Sequence, residues 1–146
     1  MSQTLPSGLQ EIVDRFAGGS RELRKQGLLQ YGKKLPPLPE SLREDRDDME
    51  QVHECQTAFF LHTDVEEDGT VRIHFDCPPE APTVRGYAGI LHAGLDGATV
   101  DEILGIPDEF YQEMGLAEVV SPMRLRGMGA IVARLKRQVR DKARAA

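Results

Sequence analysis

Leu125, Met128, Val132, Leu135 and Val139 recur at spacings of three, four, three and four residues. That period lines them along one side of an α-helix. Ser121-Pro122 stands just before them, a capping side chain followed by proline at the first helical position, where a missing N–H costs nothing. The sequence therefore predicts a long C-terminal helix with one apolar seam, and that seam needs a second layer to cover it. One region is patterned to supply the layer. Thr57-Ala58-Phe59-Phe60-Leu61-His62-Thr63 is rich in aromatic and β-favouring residues, and Val71-Arg72-Ile73-His74-Phe75 alternates apolar with polar. Glu66-Glu67-Asp68-Gly69 between them supplies a turn, so the two runs predict a hairpin.

Helices are expected on both sides of this hairpin. Leu9, Ile12, Val13 and Phe16 follow helical spacing, with Ser7 and Gln10 as a capping box and Gly18-Gly19 as a stop. A second helix is expected from Ser20 to Tyr31, ended by Gly32. Leu35-Pro36-Pro37-Leu38-Pro39 cannot be helical. It reads as an extended apolar strap packed across the domain. Glu40 to Glu54, with seven acids and two arginines, reads as a long solvated connection. After Pro82, the residues Val84, Tyr87, Ala88 and Leu91 form another helical stripe. Thr99 with Glu102 makes a second capping box and Gly105 a stop. Pro107 opens a short helix through Met114, ended by Gly115. No internal repeat and no second domain is visible. The fold class is α+β: a small antiparallel sheet of two or three strands, helices packed on one face, and one domain over 1–146 with its core at about 7–140.

At 146 residues, 40% hydrophobic and 29% charged, the chain has the make-up of a soluble globular domain. No apolar run approaches bilayer length, and the first residues lack the basic start, apolar centre and cleavage site of a signal peptide. An intact cytoplasmic protein is expected. The net charge of −6 is unevenly spread, with eight Lys/Arg and one acid from Arg124 onward, against ten basic and 23 acidic side chains before it. An acidic body argues against nucleic acid as the main partner. The basic tail reads as a solvated helix face or as a surface for a partner. Cys55 and Cys77 are too few for a disulfide framework, and neither CxxC nor zinc-finger spacing occurs. P-loop, dinucleotide, GxSxG and HExxH motifs are absent.

The candidate chemistry therefore centres on the cysteines. If Val65 pairs with Thr70 in the hairpin, Cys55 lies opposite Pro78 to Glu80 and Cys77 opposite Ala58, which makes the two thiols neighbours. Cys55 sits at a strand entrance among polar residues, His53, Glu54 and Gln56. The nearby acids raise a thiol's pKa. That suits a thiol activated by a partner better than a nucleophile acting alone; a small buried hydrophobe is the other reading. Arg124 is a cation in the first turn of a helix, at the unfavourable end of the dipole, and calls for a counter-anion such as Glu80 or a thiolate. His62 and His74 face each other across the hairpin. Strand pairing explains them, and a metal site with Cys55 and Cys77 is the alternative.

Three blocks of the chain resemble the SufE/CsdE family of sulfur acceptors for cysteine desulfurases. One is Lys33-Lys34-Leu35-Pro36-Pro37-Leu38-Pro39-Glu40-Ser41-Leu42-Arg43. Another is Glu54-Cys55-Gln56-Thr57-Ala58-Phe59-Phe60. The third is Val84-Arg85-Gly86, followed by Ser121-Pro122-Met123-Arg124-Leu125-Arg126-Gly127-Met128. The resemblance runs from about Leu9 to Arg140. It implies a fold shared with the iron–sulfur scaffold IscU and Cys55 as the acceptor thiol, supported by Arg124, Glu80 and Gln56; Cys77, brought near by the hairpin register and not by the resemblance, is a candidate second thiol. The resemblance also implies a SufS/CsdA-like desulfurase as partner, carrying the pyridoxal phosphate, with this chain needing no cofactor or metal of its own. Sulfur would be taken as a persulfide, with stimulation of the desulfurase, and passed toward iron–sulfur cluster assembly, to a downstream scaffold among other sinks. Glu54 stands where the family has glycine, Thr57 and Phe60 replace serine and tryptophan, the histidine expected before Ser121-Pro122 is missing near Val119, and Cys77 is an addition. A metal-binding or iron–sulfur scaffold of IscU-like fold, a non-catalytic module that retains the fold, and a Cys55–Cys77 redox switch are the alternatives.

Overall fold

The computed structural model describes residues 5–55 and 57–145. In chain order the elements are α1 (Ser7–Ala17), α2 (Arg21–Lys34), α3 (Glu40–Glu44), β1 (Glu50–Gln51), β2 (Phe60–Val65), β3 (Val71–Asp76), α4 (Pro82–Leu95), α5 (Val100–Leu104) and α6 (Pro122–Ala145). The strands form one antiparallel sheet in the order β1-β2-β3. Leu61, Val71, Ile73 and Phe75 point to the buried face, and the α6 seam of Met128, Val132, Leu135 and Val139 belongs to the same core. Thr63 shares that face as its one buried polar residue among those described, and its hydroxyl donates to Gln138 Oε1 of α6 at 2.8 Å. The outer face carries a smaller cluster of Leu38, Leu42 and Met49 packed on Phe60.

The start of the chain shows why helices begin and end where they do. α1 buries Leu9, Ile12, Val13 and Phe16 as expected, but Pro6 is its N-cap and Ser7 already lies inside the helix, so the Ser7–Gln10 box does not form. Gln10 instead donates to Asp14 Oδ1, one turn on, at 2.9 Å. Ser20 caps α2, accepting from the Leu23 N–H. α2 passes through Gly32 and stops at Lys34, because Pro36 holds Leu35 in the extended region. Gly32 serves close packing instead. α2 and α4 cross so tightly that a Cβ on Gly86 would lie 2.3 Å from the Leu28 carbonyl oxygen, and one on Gly89 2.0 Å from that of Tyr31.

The strap at 35–39 is extended, with Leu35 and Leu38 buried, and lies along Ile73, His74, Phe75 and His92. The acidic stretch after it is not a solvated connection. It holds α3, a 3-10 turn at Arg46–Asp48 and β1, with Leu42, Met49 and Val52 buried. These apolar residues are scattered among acids without a period, so patterning could not reveal them.

The hairpin register is one residue off the expectation: Val65 pairs with Val71, His62 with His74 and Phe60 with Asp76. Five residues form the turn, closed by the Glu66 N–H donating to Thr70 O at 2.8 Å, with Gly69 at φ 86°. Asp68 Oδ1 accepts from both the amide and the hydroxyl of Thr70. Past α4, the Thr99–Glu102 capping box forms in full at the start of α5. The segment after Pro107 is a 3-10 turn over Phe110–Met114 rather than a helix opened by the proline, and Gly115 at φ 71° ends it. No described helix is long and apolar enough to cross a membrane.

Candidate functional site

The β1–β2 connection is a loop tied at its base. Val52 N–H donates to Phe59 O at 2.8 Å, and the buried Val52 and Phe59 side chains root both ends in the core. Cys55 sits in this loop, not at a strand entrance, since β2 begins only at Phe60. Its own N–H donates to Val52 O at 3.2 Å, which curls the chain so that the thiol turns toward α6. Sγ lies half-buried, 3.9 Å from the Gly127 carbonyl oxygen. A Cβ on Gly127 would come within 3.3 Å of Sγ and 3.5 Å of Glu54 O. This glycine of α6 is therefore the seat on which the loop rests.

Burial pushes the Cys55 thiol up to about 11, and the negative charge of Glu54 and proximity of Cys77 push in the same direction, with Arg134 opposing. In this position the thiol is neutral near pH 7 and a poor nucleophile. Cys77 follows β3 directly and is 4% exposed. Burial lifts it to about 11 as well, against the nearby Arg85. Both cysteines are free thiols. They stand close enough for Cys77 to act on the Cys55 thiol, although regular pairing ends at Phe60–Asp76 and neither cysteine is in a strand. Ala58, Phe60, Asp76, Pro78 and Pro79 line, with Cys77, a surface hollow of about 250 Å³.

The supporting residues fare differently. Arg124 is half-buried one turn before Gly127 on α6, and its N–H donates to the Ser121 hydroxyl at 3.3 Å, the cap expected from Ser121-Pro122. Glu80 is exposed in the turn after Pro79. Among the described residues no ion pair joins Arg124 to Glu80 or to another carboxylate. Gln56 lies outside the described residues. The Thr57 hydroxyl, two residues past the thiol, is buried without a hydrogen-bond partner.

His62 and His74 do not join this site. His62 and His74 stack at 6.1 Å between ring centroids, and both approach Asp64, at 3.0 and 3.6 Å. Even-numbered positions of β3 face away from the core that holds Cys77, so His74 and Cys77 lie on opposite faces. Among the described residues no group of three or more His, Cys, Asp or Glu side chains is arranged to hold a metal ion.

The structure also gives physical roles to residues that sequence reading left unassigned. Arg85 donates to Gly32 O at 3.2 Å and to Cys77 O at 3.0 Å, tying the end of β3 to α2. Arg134 of α6 bridges Glu50 and Glu54, and Arg137 and Gln138 also bind Glu50. Lys136 reaches Asp108, and Lys142 donates to Thr63 O. Much of the basic tail is thus spent inside the molecule rather than on a free surface. A glycine amid a strong helical seam was the available signal for Gly127; nothing in the local sequence marked Arg134.

The chain as a whole has relatives among known proteins. Residues 10–139 match the family model SufE, described as an Fe-S metabolism associated domain. An uncharacterized SufE-like protein of Mycobacterium tuberculosis (strain H37Rv) is 47% identical over 94% of this chain and 95% of its own. A protein named cysteine desulfuration protein SufE, from Plasmodium vivax, is 26% identical over 77% of this chain and 40% of its own length. The solution structure of a hypothetical protein from Thermus thermophilus superposes with a TM-score of 0.85, at 44% identity, over 96% of this chain and 98% of the other.

Proposed function

We propose, because the chain belongs to the SufE family of Fe-S metabolism proteins, that it is a cytoplasmic sulfur carrier whose Cys55 accepts persulfide sulfur from a cysteine desulfurase and so stimulates that enzyme. The observation that carries this reading is the Cys55 loop. A thiol in a tethered loop, half-buried on a glycine seat and held neutral, is protected from adventitious oxidants yet close to the surface. The chemistry is thiol–persulfide exchange. The Cys55 thiolate attacks the outer sulfur of the partner's persulfide, a new S–S bond forms at Cys55 and the old one breaks. The partner's cysteine leaves as thiolate and takes up the proton that Cys55 gave up.

The elevated thiol pKa sets the requirement for this step. Seated, Cys55 is too rarely ionised to react, so transfer needs the loop to leave the low-dielectric seat or a partner to supply positive charge beside it. Arg124, half-buried one turn along α6 and without a carboxylate partner among those described, is suited to face the thiolate and the incoming sulfur. The pyridoxal phosphate belongs to the desulfurase, and the sulfur is destined for iron–sulfur cluster assembly.

Incubation with a cysteine desulfurase and cysteine is expected to add about 32 Da, one sulfur atom, to the peptide containing Cys55. Cys55→Ser is expected to lose both the adduct and the stimulation of desulfurase turnover. Undiminished stimulation by Cys55→Ser, or an adduct found only on Cys77, would sink the reading. Stimulation without any adduct would instead favour a non-catalytic module on the same fold.

A further inference from the structure

Arg134 joins two carboxylates that belong to different parts of the fold. Its Nη1 lies 2.7 Å from Glu50 Oε2, and its Nη2 and Nε lie 2.8 and 3.1 Å from Glu54 Oε1. Glu50 is a fixed post. It stands in β1 opposite Leu61, and it takes further hydrogen bonds from Arg137 and from Gln138, the latter at 2.9 Å. Glu54 is the movable end. It directly precedes Cys55, outside any strand, with 49% of its side chain accessible. The glutamate also occupies the position next to the thiol where it opposes ionisation, and Arg134 is the cation that offsets it.

We propose that Arg134 is a positioning residue that, anchored on Glu50, latches the acceptor loop through Glu54 and keeps Cys55 seated on Gly127 until that ion pair is broken. The meaning of the latch rests on Cys55 being the sulfur acceptor, but its existence does not. The contact is partly open to water, so salt weakens it and its opening needs only a modest input. The charged and titratable groups around it are Glu50 of β1, Glu54 and His53 of the loop, Cys77 after β3, and Arg134 and Arg137 of α6. The carboxyl of Glu54 is held below the usual range first by its own backbone N–H and then, against some desolvation, by Arg134, so at neutral pH the latch is closed.

The test is the rate of Cys55 alkylation by iodoacetamide in the intact chain, followed on the Cys55 peptide over roughly pH 7 to 11. Glu54→Gln leaves the Arg134–Glu50 anchor in place and is expected to speed alkylation about two- to fivefold, the range an ion pair of this exposure supports, and to shift the pH profile down. Arg134→Gln is expected to speed it as well but to shift the profile down by less than Glu54→Gln does, because leaving the seat relieves burial, the largest cause of the raised pKa, while Glu54 stays next to the thiolate without its counter-charge. Added NaCl is expected to accelerate wild type and leave Glu54→Gln unchanged. Folded variants that alkylate at the wild-type rate, or that move the profile up, overturn the latch. Because no desulfurase is present, the alkylation pattern stands or falls independently of whether Cys55 goes on to carry sulfur.

Discussion

At the scale of single residues, the site depends on one absent side chain. Gly127 lies within the first two turns of α6, a helix that opens at Pro122, and glycine there is intrinsically unfavourable by about 1 kcal/mol relative to alanine. The compensation is room: a Cβ would crowd Sγ of Cys55, at 3.3 Å, and reach ordinary contact with the Glu54 carbonyl. Gly127→Ala is therefore expected to leave the melting temperature near wild type, since the gain in helix propensity offsets the crowding. The loop would be displaced, and reaction of Cys55 with a disulfide reagent would rise several-fold. Unchanged thiol kinetics would show that the loop does not rest on this glycine. The same scale explains why Cys55 is so quiet by itself: burial dominates its pKa, and Glu54 adds to that effect.

Among elements, the closest approach is between α2 and α4. Gly86 and Gly89 present bare backbone to the carbonyls of Leu28 and Tyr31, and the Cβ clearances of 2.3 and 2.0 Å are contacts with backbone, which cannot swing aside. Gly89→Ala is expected to destabilise the protein by about 1–3 kcal/mol or more through overpacking, read as a lowered denaturation midpoint. A midpoint equal to wild type would mean that the helices can separate freely. The Val84-Arg85-Gly86 block then has a structural meaning: valine for the core, arginine to hold the Gly32 and Cys77 carbonyls, glycine for the crossing. Much of this level was legible in the sequence. Period-2 alternation identified β3, the five-residue seam identified α6, and Thr99 and Glu102 made their capping box, because each of these is a local pattern with a local cause. β1 was not legible. It is two residues long, acidic, and exists because α6 binds it through Arg134, Arg137 and Gln138.

Over the whole molecule, those three α6 side chains converge on Glu50 and tie the C-terminal helix to the edge of the sheet. Burial by itself would raise the Glu50 pKa, but hydrogen bonds from Gln138, Arg134 and Arg137 outweigh it and hold the carboxyl below its ordinary value. A folded-state pKa below the unfolded one, about 4.3 for glutamate, gives stability that is present above that pH. It is lost as pH falls through the lowered folded value. Glu50→Gln is therefore expected to cost about 1–2 kcal/mol at pH 7 after allowance for solvent screening, and the gap to wild type should close at strongly acidic pH. A gap that is constant with pH would assign the loss to packing rather than to charge.

The sequence by itself determined the fold class, the hairpin, the long last helix and the cysteine around which a function could be read, since hydrophobic period, capping chemistry and motif order all act over a few residues. The tertiary structure alone decided the register, the third strand, the seat of Cys55 on Gly127 and the inward use of the basic tail. Arg134 lies 80 residues from Glu54 in the chain. No local pattern encodes such a pairing; only the packing of α6 along the sheet brings the two charges within reach of each other.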